Sequence, residues 1–209
     1  MPADLRARLE WGLAALPLDL PEAARDRLLA YLALLHKWNS AYNLTAVREP
    51  QQMVSAHLLD SLSVLPHVHG SRVLDVGTGP GLLGIPFAIA RPDWTLTLLD
   101  SNGKKTRFVT QAAIELGLNN VTVVHSRVED YAPGRGFDCI VSRAFTSLAE
   151  MVGATRRLLA PQGRLLAMKG TYPVAELAEL PEDAEVERVQ RLEVPGLTAE
   201  RHLVLIRAA

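Results

Sequence analysis

The sequence predicts an α/β fold: a mostly parallel sheet of seven strands covered on both faces, with a helical N-terminal extension and an antiparallel C-terminal hairpin. Three observations carry this. Roughly the first 70 residues read as helix alone. Short runs rich in Val, Ile and Leu then alternate with helical stretches, and strand-then-helix repeats mean a parallel sheet. Two extended segments close the sequence with only a short turn region, "PGLTAE", between them, which is hairpin spacing.

The elements run in order. Residues 4–15 form a short helix. Residues 21–38, "PEAARDRLLAYLALLHKW", form an amphipathic one. Pro21 suits a first helical position, Glu22 and Asp26 complement the positive end of the dipole, and Leu28, Leu29, Leu32, Leu35 and Trp38 recur at helical spacing. A third helix spans 50–64. The strands are "RVLDVG", "TLTLLD", "VTVVHS", "FDCIVS", "RLLAMKG", "AEVERVQRLEV" and "RHLVLIRAA", with helices at 82–91, 103–117 and 147–159. The division falls at residue 70: a helical extension over 1–70 packs on a core domain over 71–209.

Composition narrows the class. Of 209 residues 48% are hydrophobic and 22% charged, which supports a buried core and argues against disorder. No window approaches the ~18 uninterrupted apolar residues of a membrane span. The N-terminus mixes acids with bases and does not read as a signal peptide, so a cytoplasmic protein is expected. One cysteine, Cys139, permits neither an internal disulfide nor a thiolate zinc cluster. His67 and His69 lack nearby carboxylates and read as loop residues; no metal is expected. The net charge of −1 excludes a uniformly basic nucleic-acid binder. The charge is uneven, however: residues 1–175 hold 18 Lys/Arg against 15 Asp/Glu, and residues 176–209 hold 4 against 8. Contact with a polyanion is therefore expected away from the C-terminal segment.

Residues 73–84, "VLDVGTGPGLLG", end the first strand. Gly77, Thr78, Gly79 and Gly81 form a turn that lets backbone approach a ligand, followed by a helix N-terminus. "GPGLLG" also satisfies the dinucleotide pattern, with Asp100 about 20 residues beyond it. Two features argue for a ligand without phosphate. Asp75 is expected to point near the pocket, where it repels phosphate and suits an ammonium group. Pro80 removes one N–H from the loop. Asp100 can accept hydrogen bonds from both ribose hydroxyls. A ribose with a zwitterionic amino acid and no phosphate describes S-adenosylmethionine; a nicotinamide dinucleotide is the alternative.

Val128 and Glu129 follow the third strand, where an adenine would lie against the sheet, although Glu129 and Asp130 serve equally well as turn caps. After the fourth strand, "SRAFTSL" places Arg143 beside the methionine end of the cofactor and the incoming substrate. Phe145 is read both as a base-stacking ring and as ordinary packing. The chemistry narrows by residue type. Cys139 lies inside an apolar strand and is a poor nucleophile. An Asn or Asp before Pro-Pro-aromatic, frequent in exocyclic-amine methylation, is absent. Attack by an atom with a free lone pair, such as guanine N7, needs no general base.

"LHKWNSAYNLT" (residues 35–45), "HLLDSL" (57–62), "DVGTGPGLLGIP" (75–86), "LLDSNGKKTRF" (98–108), "SRVED", "SRAF", "MKG" and "ERHLV" appear in order. Together they resemble the bacterial small-subunit ribosomal RNA guanine-N7 methyltransferases, also called the glucose-inhibited division protein B family, from about residue 25 onward. The resemblance implies a Rossmann-like class I S-adenosylmethionine-dependent methyltransferase and methylation of one guanine N7 in the decoding region of 16S rRNA. It places cofactor contacts at Gly77, Leu82, Val128, Glu129 and Arg143. One departure is visible: Leu83 stands where the family commonly has proline.

On the substrate side, Lys104, Lys105 and Arg107 fall in a helix's first turns, where each cation opposes the dipole by ~0.3–1 kcal/mol. An RNA phosphate would answer them; so would solvent. Lys37 and Tyr42, beside His36, Asn39 and Asn43, form a second candidate RNA surface, to which Lys169 of "MKG" is added. His57 and Asp60, three apart on one helix, are expected to pair. The expected partner is 16S rRNA, the small ribosomal subunit or its assembly intermediate, met by a monomer without membrane contact. A nicotinamide-dependent oxidoreductase and a non-catalytic ribosome-associated module are the competing readings.

Overall fold

The computed structural model describes residues 3–143, 145 and 147–208. Two helices open the chain, α1 (Ala3–Ala14) and α2 (Glu22–Tyr42). Helix α2 begins one residue after Pro21 and runs a turn beyond Trp38. It stops where Asn43 takes the left-handed conformation at φ 49°, and the Asn39 side chain bonds both the N–H and the carbonyl of Thr45. The third expected helix is not regular. It comprises α3 (Pro50–Met53), a π-helical stretch Val54–Leu59 and α4 (Asp60–Leu62).

The sheet order is β3-β2-β1-β4-β5-β7-β6. Strands β1 (Arg72–Val76), β2 (Thr95–Asp100), β3 (Val121–His125), β4 (Phe137–Ser142) and β5 (Leu159–Lys169) pair in parallel. β7 (His202–Ala208) runs antiparallel between β5 and β6 (Ala184–Arg191). So the expected hairpin forms, with β6 at the edge and β7 inside. The helices α5 (Gly84–Ala90), α6 (Gly103–Glu115) and α7 (Leu148–Thr155) connect the parallel strands. A short α8 (Val174–Ala178), not foreseen in the sequence, lies between β5 and β6.

Alternation along the strands divides the core in two. Val73, Leu98, Cys139, Val141, Leu166 and Leu205 face a cluster containing the N-terminal helices with Phe87 and Phe108 of α5 and α6. Leu74, Leu99, Ile140, Leu165 and Ile206 face the other way, onto Leu148, Met151 and Val152 of α7. One face thus carries most of the helices. The N-terminal segment shares its apolar cluster with the sheet: Leu9, Leu28, Leu35, Met53 and Leu62 are completely buried there. At ~25 cal/mol per Å² of apolar surface, those five side chains alone stabilise the arrangement by several kcal/mol.

Candidate active site

The strand order reverses between β1 and β4, so the crevice at their carboxyl ends is where an open α/β sheet holds its ligand. Ser142 ties the two strands together there, its hydroxyl donating to the Val76 carbonyl at 2.7 Å. Gly77, Gly79 and Gly81 follow β1 with φ of 67°, 59° and 83°. A side chain at Gly81 would also meet Ile85 at 2.7 Å, so this position is closed on two grounds.

Five of the loop's donors are spent within the protein. Gly77 and Thr78 N–H groups both donate to the Leu99 carbonyl, at 2.8 and 3.0 Å. Gly79 N–H donates to Asp100 at 2.8 Å, Gly81 N–H to the Thr78 carbonyl at 2.9 Å, and Gly84 N–H to Asp75 at 2.9 Å. Pro80 has no N–H to offer. These groups cannot cradle a diphosphate without first giving up their present acceptors.

Asp75 differs from the expectation. Its carboxylate turns into the loop instead of the pocket, is 2% exposed, and accepts from the Thr78 hydroxyl at 2.6 Å as well as from Gly84. Burial pushes its pKa up to about 6, against the pull of those two hydrogen bonds. The reason for its inward turn is local. Helix α5 starts at Gly84 rather than at residue 82, and Leu83 supplies no capping side chain, so Asp75 satisfies the first N–H from the strand.

A cleft of about 320 Å³ opens beside the loop, lined by Val76, Gly77, Leu99, Asp100, Ser126, Val128, Glu129, Lys105 and Phe145 among others. Of the expected cofactor contacts, Gly77, Asp100, Val128 and Glu129 meet here. Asp100 is anchored by the N–H groups of Gly79 and Asn102, both at 2.8 Å, leaving carboxylate lone pairs for hydroxyl donors. Val76, Leu99 and Val128 form an apolar wall suited to a flat ring. The loop carrying Val128 and Glu129 is braced by Arg157, which the sequence did not single out. Its guanidinium donates to the carbonyls of Val128, Glu129 and Tyr131 at 2.6, 2.9 and 2.9 Å.

Thr78, Gly79, Gly81 and Leu82 are not among the residues that line this cleft. Leu82 is 7% exposed, and its carbonyl accepts from Ser61 of α4. Leu83 is almost wholly buried, so the apolar character retained in place of proline is used for packing. Helix α2 reaches the same loop: Tyr31, completely buried, donates its hydroxyl to the Pro80 carbonyl at 2.9 Å. Burial and the nearby Asp75 both raise the Tyr31 pKa, so the group is a neutral donor.

Arg143 faces a second cavity, of about 310 Å³, lined by Val47, His57, Asp60, Lys169 and Arg201 among others. Its charge nevertheless reaches back to Asp75 and Tyr31 beneath the glycine loop. His57 and Asp60 do not pair. His57 Nε2 lies 2.9 Å from the Thr45 hydroxyl and Nδ1 2.9 Å from the Ala56 carbonyl, while Asp60 divides its oxygens between two guanidiniums. The π turn explains the difference: with more residues per turn than an α-helix, positions three apart no longer sit one above the other on the same face. Burial, helped by Arg143, lowers the His57 pKa to about 4, so the imidazole is neutral at physiological pH.

The expected RNA contacts are dispersed. Lys37, Lys104 and Arg107 are exposed. Tyr42 is 41% exposed and stacks on Trp38 with ring centroids 5.2 Å apart. Asn102 caps α6 by accepting from the N–H groups of Lys104 and Lys105, which fixes both at the helix start as expected. Lys105 and Phe145, however, line the first cleft, and Lys169 lines the second cavity with its ammonium 2.7 Å from Glu176. Cys139 is completely buried, and burial pushes its thiol up to about 12. Among the described residues, no group of three or more His, Cys, Asp or Glu is placed to hold a metal, and no helix is long and apolar enough to cross a membrane.

The fold is one found in methyltransferases. Among solved structures, the chain is similar to magnesium protoporphyrin IX methyltransferase from Synechocystis (TM-score 0.58, 17% identity, 85% of this chain and 97% of that one). It is similar also to the glycopeptide N-methyltransferase MtfA (TM-score 0.58, 16% identity, 77% and 100%). At those identities the likeness speaks for the fold alone. The GidB family, described as rRNA small subunit methyltransferase G, matches residues 24–204, and this chain belongs to it. Relatives named ribosomal RNA small subunit methyltransferase G are 58% identical in Laribacter hongkongensis (96% of this chain, 97% of that protein) and 55% identical in Pseudomonas syringae pv. tomato (95% and 94%).

Proposed function

We propose that this chain transfers a methyl group from S-adenosylmethionine to N7 of one guanine in the decoding region of 16S rRNA. The observation that carries the cofactor half is that the N–H groups of Gly77, Thr78, Gly79, Gly81 and Gly84 are already engaged beside a cleft-facing Asp100. That arrangement has a carboxylate for ribose hydroxyls and little for a diphosphate. The residues fit the cofactor in other respects too: the apolar wall of Leu99 and Val128 suits an adenine, Glu129 stands at its edge, and Arg143, which lines the second cavity, is the cation we assign to the amino-acid carboxylate. The cofactor brings an electrophilic methyl group on a sulfonium.

The remaining work belongs to the chain. Guanine N7 presents its lone pair in the ring plane and loses no proton, so the residues must place and orient rather than exchange protons. The neutral His57, with both ring nitrogens engaged, suits a site that needs no base. A purine can enter beside Phe145, and Lys105 at the same cleft can meet RNA phosphate. We read the protein as a cytoplasmic monomer acting without metal.

Three measurements test this. Thermal unfolding with S-adenosylhomocysteine or NAD should show stabilisation by the first only; a response to NAD alone would overturn the cofactor assignment. Mapping of 7-methylguanine in 16S rRNA with and without the gene should show one site disappear. Transfer assays on naked rRNA, 30S subunits and assembly intermediates identify the form recognised. Failure on all three, with cofactor bound, would leave a binding module.

A further inference from the structure

Asp60 is a buried carboxylate to which methyl transfer itself gives no role. It stands at the exit of the π-helical stretch, with its side chain 2% exposed. Its Oδ2 accepts from Arg143 at 3.2 Å and its Oδ1 from Arg201 Nε at 2.9 Å. Both arginines are about one-quarter exposed and line the same cavity. One anion thus joins three distant parts of the chain: the N-terminal helices, the end of β4 and the residue before β7.

A surface ion pair would contribute little, but a buried carboxylate with two partners is a different case. Its burial is costly unless both oxygens are engaged, so the arrangement strongly favours one geometry. Arg143 directly follows β4 beside the glycine loop, and a long guanidinium stem there has many rotamers. A fixed anion on one side of it selects among them and leaves its other N–H groups available in a defined direction.

We propose that Asp60 is a positioning residue: it orients Arg143 to meet the carboxylate of the cofactor's amino-acid moiety, while Arg201 holds Asp60 in place. This rests on the proposed S-adenosylmethionine site, in which Arg143 faces the methionine end. It adds a function for the helical layer, which then helps to build the cofactor site.

The test compares two ligands that differ at that carboxylate. S-adenosylhomocysteine carries the amino-acid group, and 5′-methylthioadenosine carries only the nucleoside and sulfur. Calorimetric titration of Asp60→Asn should show about tenfold weaker binding of S-adenosylhomocysteine, the scale of one misplaced charge-assisted hydrogen bond. Binding of 5′-methylthioadenosine should be unchanged, which also reports an intact cleft. In an Arg143→Ala background, Asp60→Asn should produce no further loss of S-adenosylhomocysteine. Should Asp60→Asn fail to fold, Asp60→Glu carries the same comparison, because its extra methylene displaces Arg143 without removing the charge. Equal losses for both ligands would make Asp60 merely structural, and no loss for either would remove its role; either result overturns the proposal. A wild-type protein that binds neither ligand would instead overturn the cofactor reading.

Discussion

Tyr31 is the place to test whether the helical layer supports the glycine loop. Tyr31→Phe removes one hydroxyl and keeps the ring, including its contact with Phe108 at a centroid distance of 6.4 Å. The Pro80 carbonyl, which accepts that hydroxyl at 2.9 Å, then loses its donor in a buried setting. A buried acceptor deprived of its partner costs about 1–3 kcal/mol. For a chain of this length each kcal/mol corresponds to roughly 2–4 °C in Tm, so a loss of about 3–6 °C is expected for a mid-range cost of ~1.5 kcal/mol. Circular dichroism melting reads that loss. Titration of S-adenosylhomocysteine should at the same time show roughly threefold weaker binding, because the loop that presents Gly79 to Asp100 is less well held. A variant melting within about 1 °C of wild type, with unchanged affinity, would refute the idea that α2 braces the loop.

Packing, protonation and bracing each supply a further prediction. Gly84→Ala puts a Cβ 2.5 Å from Leu98 Cγ, inside the core, so it should destabilise by about 1–3 kcal/mol in chemical denaturation, with partial rescue by Leu98→Val. His57 is held neutral with a pKa near 4 against 6.5 when unfolded; between those values the unfolded chain binds the extra proton. Its contribution is therefore complete above pH 6.5 and is lost as pH falls toward 4, on the order of 3 kcal/mol in all. Asp75, raised to about 6, works oppositely between pH 3.8 and 6 in any variant that retains it, so the stability-versus-pH difference between wild type and His57→Asn isolates the histidine. Arg157→Ala removes the donor to three carbonyls around Val128 and should weaken S-adenosylhomocysteine about fivefold while changing Tm little, as titration and melting would show.

The parts legible in the sequence are those written in local pattern. Apolar runs with β-branched residues marked the strands, and the glycine turn and Asp100 marked the crevice. The inward turn of Asp75 was not legible, because it depends on which N–H starts α5. Nor was the role of Asp60. Its partners lie 83 and 141 residues away, and the π stretch that aims it is buried on nearly every side, so periodicity gives no sign of the extra residue. Arg157 escaped notice for the same reason: its three acceptors are backbone carbonyls, which carry no residue signature.

The placement of β7 between β5 and β6 constrains how the molecule comes into being. A ribosome makes β5 and β6 first; β5 can pair with β4, but its other edge and the whole of β6 wait for the strand that separates them. Arg201 directly precedes that strand, so the clasp on Asp60 is a late event in biogenesis. A nascent chain halted before β7 would carry the glycine loop and two unpaired strand edges, prone to join the wrong partners, without the finished surroundings of Arg143.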